Sequence, residues 1–465
     1  MRLAVKDVLE ATGGSLAQGS ASAPLSGVST DSRTVGAGEL FVAIRGERFD
    51  GHRYVADALA AGAGAALVSQ WPLGAGTDRP VIVVPDTKQA YGALGAWWRQ
   101  RMPARVVGVT GSNGKTTTKE MIAHLLSRLG PTLRSEANHN NHIGVPQTLL
   151  RLRPHHAFAV VEMGTNHPLE LARLAQLVRP ELGVITNIGP THLEAFRTVR
   201  GVAREKGRLL DFIRPRGLAV LHADDPWSRR LAARHAGRVT TFGLGPAARW
   251  RAAAVWPNGS RLRFVLAGLG ESFSVPVVGR CQVSNCLAAI AVAAELGLSV
   301  GEAAWQFRSF RPPEWRMALR RVGGLTLICD CYNANPASMD AAMEELARRP
   351  VAGRRVAVVG DMLELGRAST VAHRRLGHRV ALAGVDLLCA VGPAAARTAE
   401  AAVRSGMPRD RVFATTHNRA AGQWLAEHLE PDDTVLLKAS RGVRLEEVVH
   451  SIEQWAGEAE AVVTS

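Results

Sequence analysis

The residues whose types and spacing best suit chemistry lie in the segment Thr110-Gly-Ser-Asn-Gly-Lys-Thr116. An apolar run precedes it and a helical pattern follows it, so its backbone N–H groups can face phosphate oxygens at a helix N-terminus. Lys115 adds a positive charge, and the hydroxyl of Thr116 suits Mg²⁺. Phosphate loops usually carry a glycine six residues before the lysine, where this sequence has Val109. We therefore predict a variant nucleotide-binding loop that lacks its first glycine.

Two further candidates follow predicted strands. Glu162 comes after the apolar run 158–161, and a carboxylate there either caps a turn or binds a metal. His192 follows Asn187-Ile-Gly-Pro-Thr191 and is either a hydrogen-bonded loop histidine or a ligand. Ligands of parallel α/β sheets bind beyond the carboxyl ends of the strands, so a magnesium nucleotide at the same edge favours coordination for both residues. Spacing alone places Lys206 on an exposed helix face.

A central α/β domain over residues 105–314 must position these side chains. Short apolar runs alternate with helical segments, which predicts a mostly parallel sheet. The predicted strands of this sheet are 106–109, 158–161, 183–185 and 218–221. Residues 261–278 alternate with a period near two around Gly268-Leu-Gly270. This pattern predicts an antiparallel β hairpin added to the central domain.

A smaller α/β domain is predicted on each side of the central one. Residues 1–104 form the N-terminal domain, with predicted strands at 41–44, 65–68 and 81–84 and helices at 54–61 and 91–102. The chain breaks at Arg311-Pro-Pro313, and residues 315–465 form a C-terminal domain with predicted strands at 355–360, 387–391 and 435–437. Strands that alternate with helices make this third domain Rossmann-like. The fold class predicted is therefore three-domain α/β.

Composition identifies a globular protein and leaves two kinds of partner open. Apolar residues make up 46% of the 465 residues and charged residues 21%, which excludes a disordered or fibrous protein. The formal net charge is +15, from 56 Lys plus Arg against 41 Asp plus Glu, and it fits nucleic acid or an anionic small molecule. The arginines are dispersed, with no basic run that alternates with aromatic residues. The dispersed arginines therefore favour an anionic small molecule over nucleic acid as the partner.

Export and membrane insertion are not expected. The first ten residues place charges among their apolar positions, and no apolar stretch reaches the ~18 residues that a membrane span requires. The five cysteines are odd in number and lack zinc-ligand spacing; they are Cys281, Cys286, Cys329, Cys331 and Cys389. We therefore expect reduced thiols in a cytoplasmic protein.

Several segments resemble the Mur ligase family, the ATP-dependent amide-forming enzymes of peptidoglycan synthesis, and the resemblance spans the whole chain. The loop TGSNGKTT is the family's short phosphate loop, which accounts for the missing first glycine. Four further segments resemble the branch of the family that uses D-alanyl-D-alanine. They are Asn138-His-Asn-Asn-His-Ile-Gly-Val-Pro146, Val161-Glu-Met-Gly-Thr-Asn-His-Pro168, Tyr332-Asn-Ala-Asn-Pro336 and Gly360-Asp-Met-Leu-Glu-Leu-Gly366. Their order and spacing together make the resemblance specific.

The resemblance implies a site with two metal ions. Thr116 and Glu162 are expected to bind one Mg²⁺, and Glu162 and His192 to help bind a second. Lys206 matches the lysine that the family carries as a CO₂-derived carbamate, an anionic group able to support that metal. The residues expected to act in catalysis are Lys115, His192, Lys206 and Arg316.

The resemblance also implies the contacts to ATP and to the substrates. The expected ATP-binding residues are Thr110, Gly111, Ser112, Asn113, Gly114, Lys115, Thr116, Thr117, Asn285, Arg316 and Asp330. The UDP portion is expected at Ser29, Ser32, Arg33, Gly46, Asp50 and His52 of the N-terminal domain. The remaining expected substrate contacts are Asn141, His142, Tyr332, Asn333, Asn335, Lys438 and Ser440. Residues 315–465 would then bind the incoming dipeptide and part of ATP.

Five residues depart from the family's pattern. They are Cys281, Gln282, Trp315, Cys329 and Ala439. The first two replace a usual His-Asn pair before Asn285, so recognition of the base is where we expect a difference. Trp315 and Ala439 stand where the family often has glycine, and Cys329 replaces an acidic residue. None of the five belongs to the phosphate loop or the expected metal ligands.

The resemblance implies ligation of D-alanyl-D-alanine to UDP-N-acetylmuramoyl-tripeptide through an acyl phosphate, by a monomer. A first alternative is a ligase of the same superfamily that adds a single amino acid to a UDP-muramyl peptide, or glutamate to folate. The segments at 138–146 and 332–336 argue against it. A second alternative is a basic, nucleic-acid-stimulated ATPase, whose binding would depend steeply on salt. The missing basic-aromatic stripe argues against that class.

Overall fold

Three large β sheets and one two-stranded sheet organise the described part of the chain, and the large sheets confirm the three-domain α/β architecture predicted above. The computed structural model describes residues 3–46, 49–71 and 77–463, with side chains as far as 457. Short 3₁₀ helices lie at Gly51–Tyr54, Arg208–Phe212, Phe307–Ser309, Gly366–Ala368, Arg409–Arg411 and Arg441–Val443. The described helices include none that is long and apolar enough to span a membrane.

The N-terminal domain is built on a five-stranded sheet of order β2-β7-β6-β5-β4, with β1 and β3 paired separately. Its strands are β1 Leu3–Ala4, β2 Ser15–Gln18, β3 Pro24–Leu25, β4 Val28–Ser29, β5 Leu40–Val42, β6 Ala65–Val68 and β7 Val81–Val83. Its helices are α1 Val5–Thr12, α2 Val55–Ala60 and α3 Thr87–Gln100. The predicted strands and helices of this domain are all present.

The middle domain contains a nine-stranded sheet of order β16-β15-β14-β13-β12-β11-β8-β10-β9. Its strands are β8 Arg105–Thr110, β9 Thr132–Arg134, β10 Phe158–Glu162, β11 Leu182–Ile185, β12 Leu218–His222, β13 Arg238–Gly243, β14 Trp250–Asn258, β15 Arg261–Leu266 and β16 Ser272–Val275. Its helices are α4 Lys115–Leu126, α5 Gly144–Leu150, α6 Glu170–Val178, α7 Leu193–Phe196, α8 Val199–Gly207, α9 Pro226–Arg234, α10 Gln282–Glu295 and α11 Val300–Gln306.

Strand pairing in the middle domain separates a parallel part from an antiparallel one. Pairing is parallel from β9 across to β14. The strands at its centre are buried along their whole length, as β10 is, because helices cover both faces; this is why they read as continuous apolar runs. The predicted hairpin is confirmed as the antiparallel pair β15 and β16. Strand β14, which the sequence pattern did not reveal, extends the hairpin to three strands.

The C-terminal domain has a six-stranded sheet of order β17-β18-β22-β19-β20-β21. Its strands are β17 Ala318–Val322, β18 Leu325–Asp330, β19 Arg355–Gly360, β20 Leu387–Val391, β21 Val412–Thr415 and β22 Thr434–Lys438. Its helices are α12 Pro336–Arg348, α13 Ser369–Leu382, α14 Ala396–Arg404, α15 Asn418–His428 and α16 Glu446–Val463. Only the β17–β18 pair is antiparallel, so the predicted parallel core is confirmed.

The N-terminal and middle domains share one hydrophobic core. A single buried cluster runs from Leu40 of β5 through Leu94 of α3 to Leu149 of α5. At its edge the indole N–H of Trp98 donates to the carbonyl of Leu152 at 3.0 Å. Continuous apolar packing across a boundary favours a fixed orientation of the two domains.

A buried ion pair joins the same two domains. Arg99 of α3 is 2% exposed, and its Nη2 lies 3.0 Å from both carboxylate oxygens of Glu181. Burial lowers the pKa of the Arg99 guanidinium, and the charge of Glu181 opposes that shift. The carboxylate also accepts the backbone N–H of Val106 at 2.6 Å. Glu181 therefore neutralises a buried cation where the middle sheet begins.

We expect Glu181→Gln to lower the free energy of unfolding by about 3 kcal/mol, because it leaves the Arg99 charge buried without its counter-ion. The matched control is Glu10→Gln, which removes a carboxylate that pairs with Arg101 at 2.9 Å on the surface. Exposed ion pairs contribute little, so this control should change stability far less. Urea unfolding of the three proteins makes the measurement. Equal effects of the two substitutions would contradict the proposed role of Glu181.

The C-terminal domain meets the middle domain through several polar side chains, and Val278 of the middle domain packs into a C-terminal hydrophobic cluster. Asn335 Nδ2 donates to Asn113 Oδ1 at 2.6 Å, and Arg316 Nη2 donates to Thr116 Oγ1 at 2.9 Å. The connecting segment contains Trp315 and Met317 with φ of 60° and 54°, which is strained for residues with side chains. Polar contacts of this kind are weaker ties than a shared core.

Candidate active site

The loop between β8 and α4 is shaped to hold phosphate groups. Gly111 and Gly114 have φ of 150° and 78°, a region that favours glycine. A Cβ on Gly111 would lie 1.8 Å from Thr186 Oγ1, so no larger residue fits there. Val109 is fully buried in β8 and pairs with strands on both sides. The strand thus extends through the position of the missing glycine, and the loop is shorter.

The residues that follow strand β11 hold this loop in place through hydrogen bonds. The backbone N–H of Ser112 donates to the carbonyl of Asn187 at 2.9 Å, and that of Asn113 to Asn187 Oδ1 at 3.0 Å. The hydroxyl of Thr186 donates to the carbonyl of Asn113 at 2.5 Å. Beyond these, the first N–H groups of α4 have no partner within the helix. They form the anion-binding end of the loop.

Lys115 and Thr116 stand at the start of α4 and line the cleft. The Lys115 ammonium donates to the carbonyl of Gly111 at 2.9 Å. Burial lowers the pKa of Lys115, while the charge of Glu162 raises it and that of Arg316 lowers it. The Thr116 hydroxyl accepts a hydrogen bond from Arg316 of the C-terminal domain. A cation, a hydroxyl and an arginine therefore meet at the helix N-terminus.

Glu162 ends β10 with its side chain facing the cleft and is 1% exposed. Its Oε1 accepts a hydrogen bond from Asn140 Nδ2 at 2.7 Å. Its Oε2 is buried, and within the described part of the chain it has no hydrogen-bond partner. A buried carboxylate oxygen without a partner costs free energy unless a cation or donor meets it. Of the two interpretations of Glu162, this geometry favours a metal ligand.

Lys206 is 1% exposed, so the exposed helix face expected from spacing alone is wrong. Helix α8 turns this residue toward the middle domain's interior, and no hydrogen bond or ion pair to its ammonium occurs among the described residues. Burial lowers the pKa of Lys206 well below the usual range, and the nearby Lys115 charge lowers it further. Its neighbour Glu205 is held by the N–H groups of Leu169 and Leu171. The Glu205 charge opposes the lowering of the Lys206 pKa, but burial, the largest cause, disfavours the charged form of this amine.

His192 connects the middle domain to the C-terminal domain. Its backbone is left-handed, with φ of 50°. Its Nδ1 is hydrogen-bonded to Glu364, and this contact lowers the pKa of the Glu364 carboxyl. Both side chains line the cleft. His192, the expected metal ligand, thus has a carboxylate partner in Glu364, which was not among the residues predicted from the sequence.

Arg316 and Tyr332 form one wall of the cleft. The guanidinium carbon lies 3.9 Å from the centre of the Tyr332 ring, which orients the arginine toward Thr116. The positive φ of Trp315 explains why glycine often precedes this arginine in the family. The indole of Trp315 packs against Arg320, and the guanidinium carbon of Arg320 lies 4.5 Å from the centre of the indole ring.

Asp330 and Lys438 pair with each other at the ends of β18 and β22. The Lys438 ammonium is 2.5 Å from Asp330 Oδ2 and also donates to the carbonyl of Asn333 at 2.9 Å. Ser440 accepts the N–H of Leu363 at 3.0 Å. All four polar residues line the cleft, although Lys438 and Ser440 are 1% and 3% exposed. Their hydrogen bonds hold the strand ends in place.

Asn285 packs under the phosphate loop from α10. Its Oδ1 accepts from Thr118 Oγ1 at 3.2 Å, and its Nδ2 donates to Gln282 Oε1 at 2.7 Å. A Cβ on Gly114 would lie 2.4 Å from this Oδ1. Gln282 and Cys281 also line the cleft. These two departures from the family's pattern therefore lie in the lining of the same cleft as the loop.

The six N-terminal candidates are absent from the cleft lining among the described residues. Arg33 pairs with Asp31 at 2.6 Å, which lowers the pKa of that carboxyl to about 2. His52 lies 2.7 Å from Asp50 through Nδ1 and accepts the N–H of Ser69 through Nε2. Ser29, Ser32 and Gly46 belong to the same domain. These six residues therefore lie apart from the cleft lining.

Five other predicted residues also lie outside the lining of the cleft in the described chain: Gly111 and Lys206, described above, and Thr110, Asn141 and His142. Thr110 is fully buried, and its hydroxyl donates to the carbonyl of Met163 at 2.8 Å. Asn141 caps α5 by accepting the N–H groups of Ile143 and Gly144. His142 is exposed as a whole residue. Partial burial of its ring and, to a smaller extent, the charge of Lys88 in α3 lower its pKa. It therefore lies toward the N-terminal domain.

The cleft between the middle and C-terminal domains has a volume of about 620 Å³. Sequence reasoning missed residues that shape it. These are Asn140 and Glu364. Asn140 and Glu364 lie inside the segments quoted for the family, which was the signal available. The described residues contain no group of three or more His, Cys, Asp or Glu side chains that could together hold a metal ion.

Family models match most of the chain. They are described as Mur ligase family, catalytic domain, over residues 24–98; Mur ligase middle domain, over 109–293; and Mur ligase, glutamate ligase domain, over 315–441. These three matches fall within the three domains of the structure.

Individual relatives match over their full length. The chain is 37% identical over 435 residues to the UDP-N-acetylmuramoyl-tripeptide–D-alanyl-D-alanine ligase of Escherichia coli, covering 92% of this chain and 94% of that one. It is similar to a crystal structure of MurF from Acinetobacter baumannii, with a TM-score of 0.89, 32% identity and coverage of 98% and 99%. MurF ligase from Thermotoga maritima in complex with ADP gives a TM-score of 0.84, 28% identity and coverage of 93% and 98%.

Proposed function

The chain belongs to the Mur ligase family, is an ATP-dependent ligase that adds D-alanyl-D-alanine to UDP-N-acetylmuramoyl-tripeptide, and, we propose, forms an acyl phosphate in the interdomain cleft. The observation that carries the mechanism is the meeting of the phosphate loop, the unpartnered Glu162 oxygen and Arg316 in that cleft. We further propose that the protein acts as a cytoplasmic monomer.

In this proposal, ATP binds with its β- and γ-phosphates on the phosphate loop. The N-terminal N–H groups of α4 face the phosphate oxygens, and Lys115 exchanges its contact with the Gly111 carbonyl for one with phosphate. Asn285 and Gln282 hold the loop from the other side. The loop then presents the γ-phosphorus toward the C-terminal domain.

The residues present fit Mg²⁺. Glu162 offers a buried, unpartnered Oε2, and Thr116 offers a hydroxyl at the helix N-terminus. We assign Glu162 and Thr116 to a first ion and Glu162 and His192 to a second. When bound, such ions neutralise the charge that develops on the transferring phosphoryl group. Asn140 orients Glu162 through its Oε1, and Glu364 orients His192 through Nδ1.

The properties of Lys206 suit carbamate formation. A carbamate requires attack of a neutral amine on CO₂, and burial lowers the pKa of this amine. The reaction forms an N–C bond, releases one proton and turns a potential cation into an anion. In that form Lys206 would support the second ion from the middle domain's interior.

The first chemical step joins the tripeptide carboxylate to phosphate. A carboxylate oxygen attacks the γ-phosphorus, the bond from that phosphorus to the β-phosphate bridging oxygen breaks, and ADP leaves. Lys115 and Arg316 contribute positive charge where the phosphoryl group transfers. Positioning and electrostatics of this kind supply most of the rate in phosphoryl transfer.

The second step forms the amide. The amine of D-alanyl-D-alanine attacks the acyl carbon, a tetrahedral intermediate forms, and phosphate leaves as the amine loses its proton. We place the dipeptide against the C-terminal wall, at Tyr332, Asn333 and Lys438, and the UDP portion in the N-terminal domain. Polar contacts between the middle and C-terminal domains allow closure over the acyl phosphate, which excludes water.

Phosphate release tests the function directly. The assay contains ATP, Mg²⁺, UDP-N-acetylmuramoyl-tripeptide and one acceptor from a panel of D-alanyl-D-alanine, D-alanine, L-lysine, meso-diaminopimelate and glutamate. Release is expected with D-alanyl-D-alanine in stoichiometric proportion to a pentapeptide product detected by mass. Faster release with a single amino acid would assign the chain to another ligase of the family. Release stimulated by DNA or RNA without these substrates would assign it to a different class.

We expect Glu162→Gln to lower the turnover rate on the order of 10²-fold and to raise the Mg²⁺ concentration needed for half-maximal activity. The amide keeps the shape of the carboxylate and removes its charge, so the buried oxygen no longer attracts the ion. A titration of activity with Mg²⁺ measures both effects. Glu136→Gln is the matched control, since Glu136 pairs with Arg151 on the surface. An unchanged Mg²⁺ dependence in Glu162→Gln would remove this residue from the metal site.

A further inference from the structure

A second cavity lies on the middle domain, outside the interdomain cleft. Helices α8 and α9 and the 3₁₀ helix Arg208–Phe212 form its walls, and its volume is about 700 Å³. We call it the arginine groove. Its polar lining consists mainly of Arg200, Arg204, Arg208, Arg230, Arg234 and His235. None of these residues takes part in the mechanism above.

The charges in the arginine groove are largely uncompensated. Among the described residues that line it, Asp211 is the only acidic one, and it pairs with Arg208 at 3.5 Å. The other four arginines form no ion pair with any described residue. Arg230 contacts an aromatic ring instead, with its guanidinium carbon 4.7 Å from the centre of Trp227.

The arrangement of the arginines makes them repel one another. Three of them stand at positions i, i+4 and i+8 along α8 and the following turn, and two stand at i and i+4 along α9. Like charges at this spacing share one helix face and destabilise the helix. The negative ends of the helix dipoles favour a cation only in the last turn, which accounts for Arg204, Arg208 and Arg234. Arg200 and Arg230 lack that compensation, so the fold alone does not explain the cluster.

We propose that the arginine groove binds a small polyanion that carries a chain of two or three phosphates. Guanidinium groups match phosphate oxygens in a bidentate manner, and two facing rows can hold successive phosphates. The volume falls in the range of small-molecule pockets, about 300–1,000 Å³. A nucleic-acid groove would instead need a longer basic track with several aromatic residues, and Trp227 is the one aromatic residue in this lining.

The arginine groove is distinct from the phosphate loop. The loop binds anions through backbone N–H groups and one lysine, whereas the groove offers only side-chain cations. Helix α8 contributes Arg200 and Arg204 to the groove, whereas its residues Glu205 and Lys206 are buried and do not line it. Two independent phosphate sites per chain are therefore expected.

Calorimetric titration with inorganic tripolyphosphate, without Mg²⁺, tests this count. The variants are Lys115→Ala, which weakens the loop site, and the pair Arg204→Glu with Arg230→Glu, which reverses charge in the groove. Two sites are expected in the unaltered protein, one in each variant, and none when all three substitutions are combined. Affinity at the groove should fall at least tenfold with the arginine pair and should weaken steeply as salt rises.

A matched control separates the groove from the overall charge. Arg374→Glu with Arg419→Glu makes the same change at two exposed arginines of the C-terminal domain and should retain both sites. If this control loses binding equally, or if Lys115→Ala alone abolishes all binding, the proposal is overturned. Melting curves identify any variant that fails to fold. In that case the milder pair Arg204→Ala with Arg230→Ala replaces the glutamate pair. If the milder pair retains both sites at full affinity, the proposal is also overturned.

Further ligands distinguish the sources of the phosphate chain. Equal affinity of the groove for ADP and for pyrophosphate supports recognition of the phosphates alone, whereas tighter binding of ADP supports a nucleotide that also contacts Trp227. Two results would overturn the proposal in favour of a macromolecule. One is binding to vesicles of 30% phosphatidylglycerol, and the other is binding to a 20-base-pair DNA, each without binding of tripolyphosphate and each abolished by the arginine pair.

Discussion

Replacing Lys115 with alanine is expected to lower the rate of amide formation by on the order of 10²-fold or more. Lys115 is the lysine of the phosphate loop, and its ammonium lies at the N-terminus of α4, 2.9 Å from the carbonyl of Gly111. Its partial burial strengthens its interaction with phosphate, because few water molecules screen the charge. Arg316 and Mg²⁺ remain in the variant, so a residual rate is expected rather than none.

Phosphate release and pentapeptide formation measure the effect of Lys115→Ala. The rate should fall mainly through kcat if Lys115 acts on the transferring phosphoryl group, and mainly through a higher KM for ATP if it only binds the ground state. Lys6→Ala, which removes an exposed lysine of α1, is the control. Near-normal turnover in Lys115→Ala would show that the loop is not the catalytic nucleotide site.

Lys206→Ala is expected to lose most of the activity, and acetate or another short carboxylic acid is expected to restore part of it. The added carboxylate would occupy the space and supply the charge of the proposed carbamate. Rescue distinguishes this role from a packing role, because a cavity-filling molecule without charge, such as ethanol, would then restore nothing. Full activity in the variant would contradict any role for Lys206 in the reaction.

The carbamate also predicts a pH dependence. Burial lowers the pKa of Lys206, so its neutral form is present above that lowered value and is lost as the pH falls through it. Carbamate formation should therefore weaken toward acid pH, and added bicarbonate should shift the fall in activity to lower pH. A ¹³C NMR signal from labelled bicarbonate, present in the unaltered protein and absent in Lys206→Ala, would identify the group directly. Absence of that signal in both proteins would exclude the carbamate.

The structure also suggests which part of the molecule moves. The N-terminal and middle domains share a hydrophobic core and the buried Arg99–Glu181 pair. The C-terminal domain instead contacts the phosphate loop through Asn335 and Arg316 and reaches His192 through Glu364. Closure is therefore expected to be a movement of the C-terminal domain against the other two.

Local pattern was sufficient for most of the secondary structure. Predicted strands at 355–360 and 387–391 coincide with β19 and β20, because strands buried on both faces must be apolar throughout. The pattern did not reveal β14, whose middle and end are largely exposed and which carries Pro257. An exposed antiparallel strand has no continuous apolar run, so periodicity alone could not distinguish it from a loop.

The sequence by itself determined the phosphate loop, the three-domain α/β architecture and the family, because short motifs and buried strands depend on neighbouring residues. It did not place Lys206 correctly, since the burial of a helix face depends on what packs against it. The pairing of His192 with Glu364 joins residues 172 positions apart, and the arginine groove joins two helices whose arginines look dispersed along the chain. Only the tertiary structure decided these contacts, because charge and burial act through space rather than along the sequence.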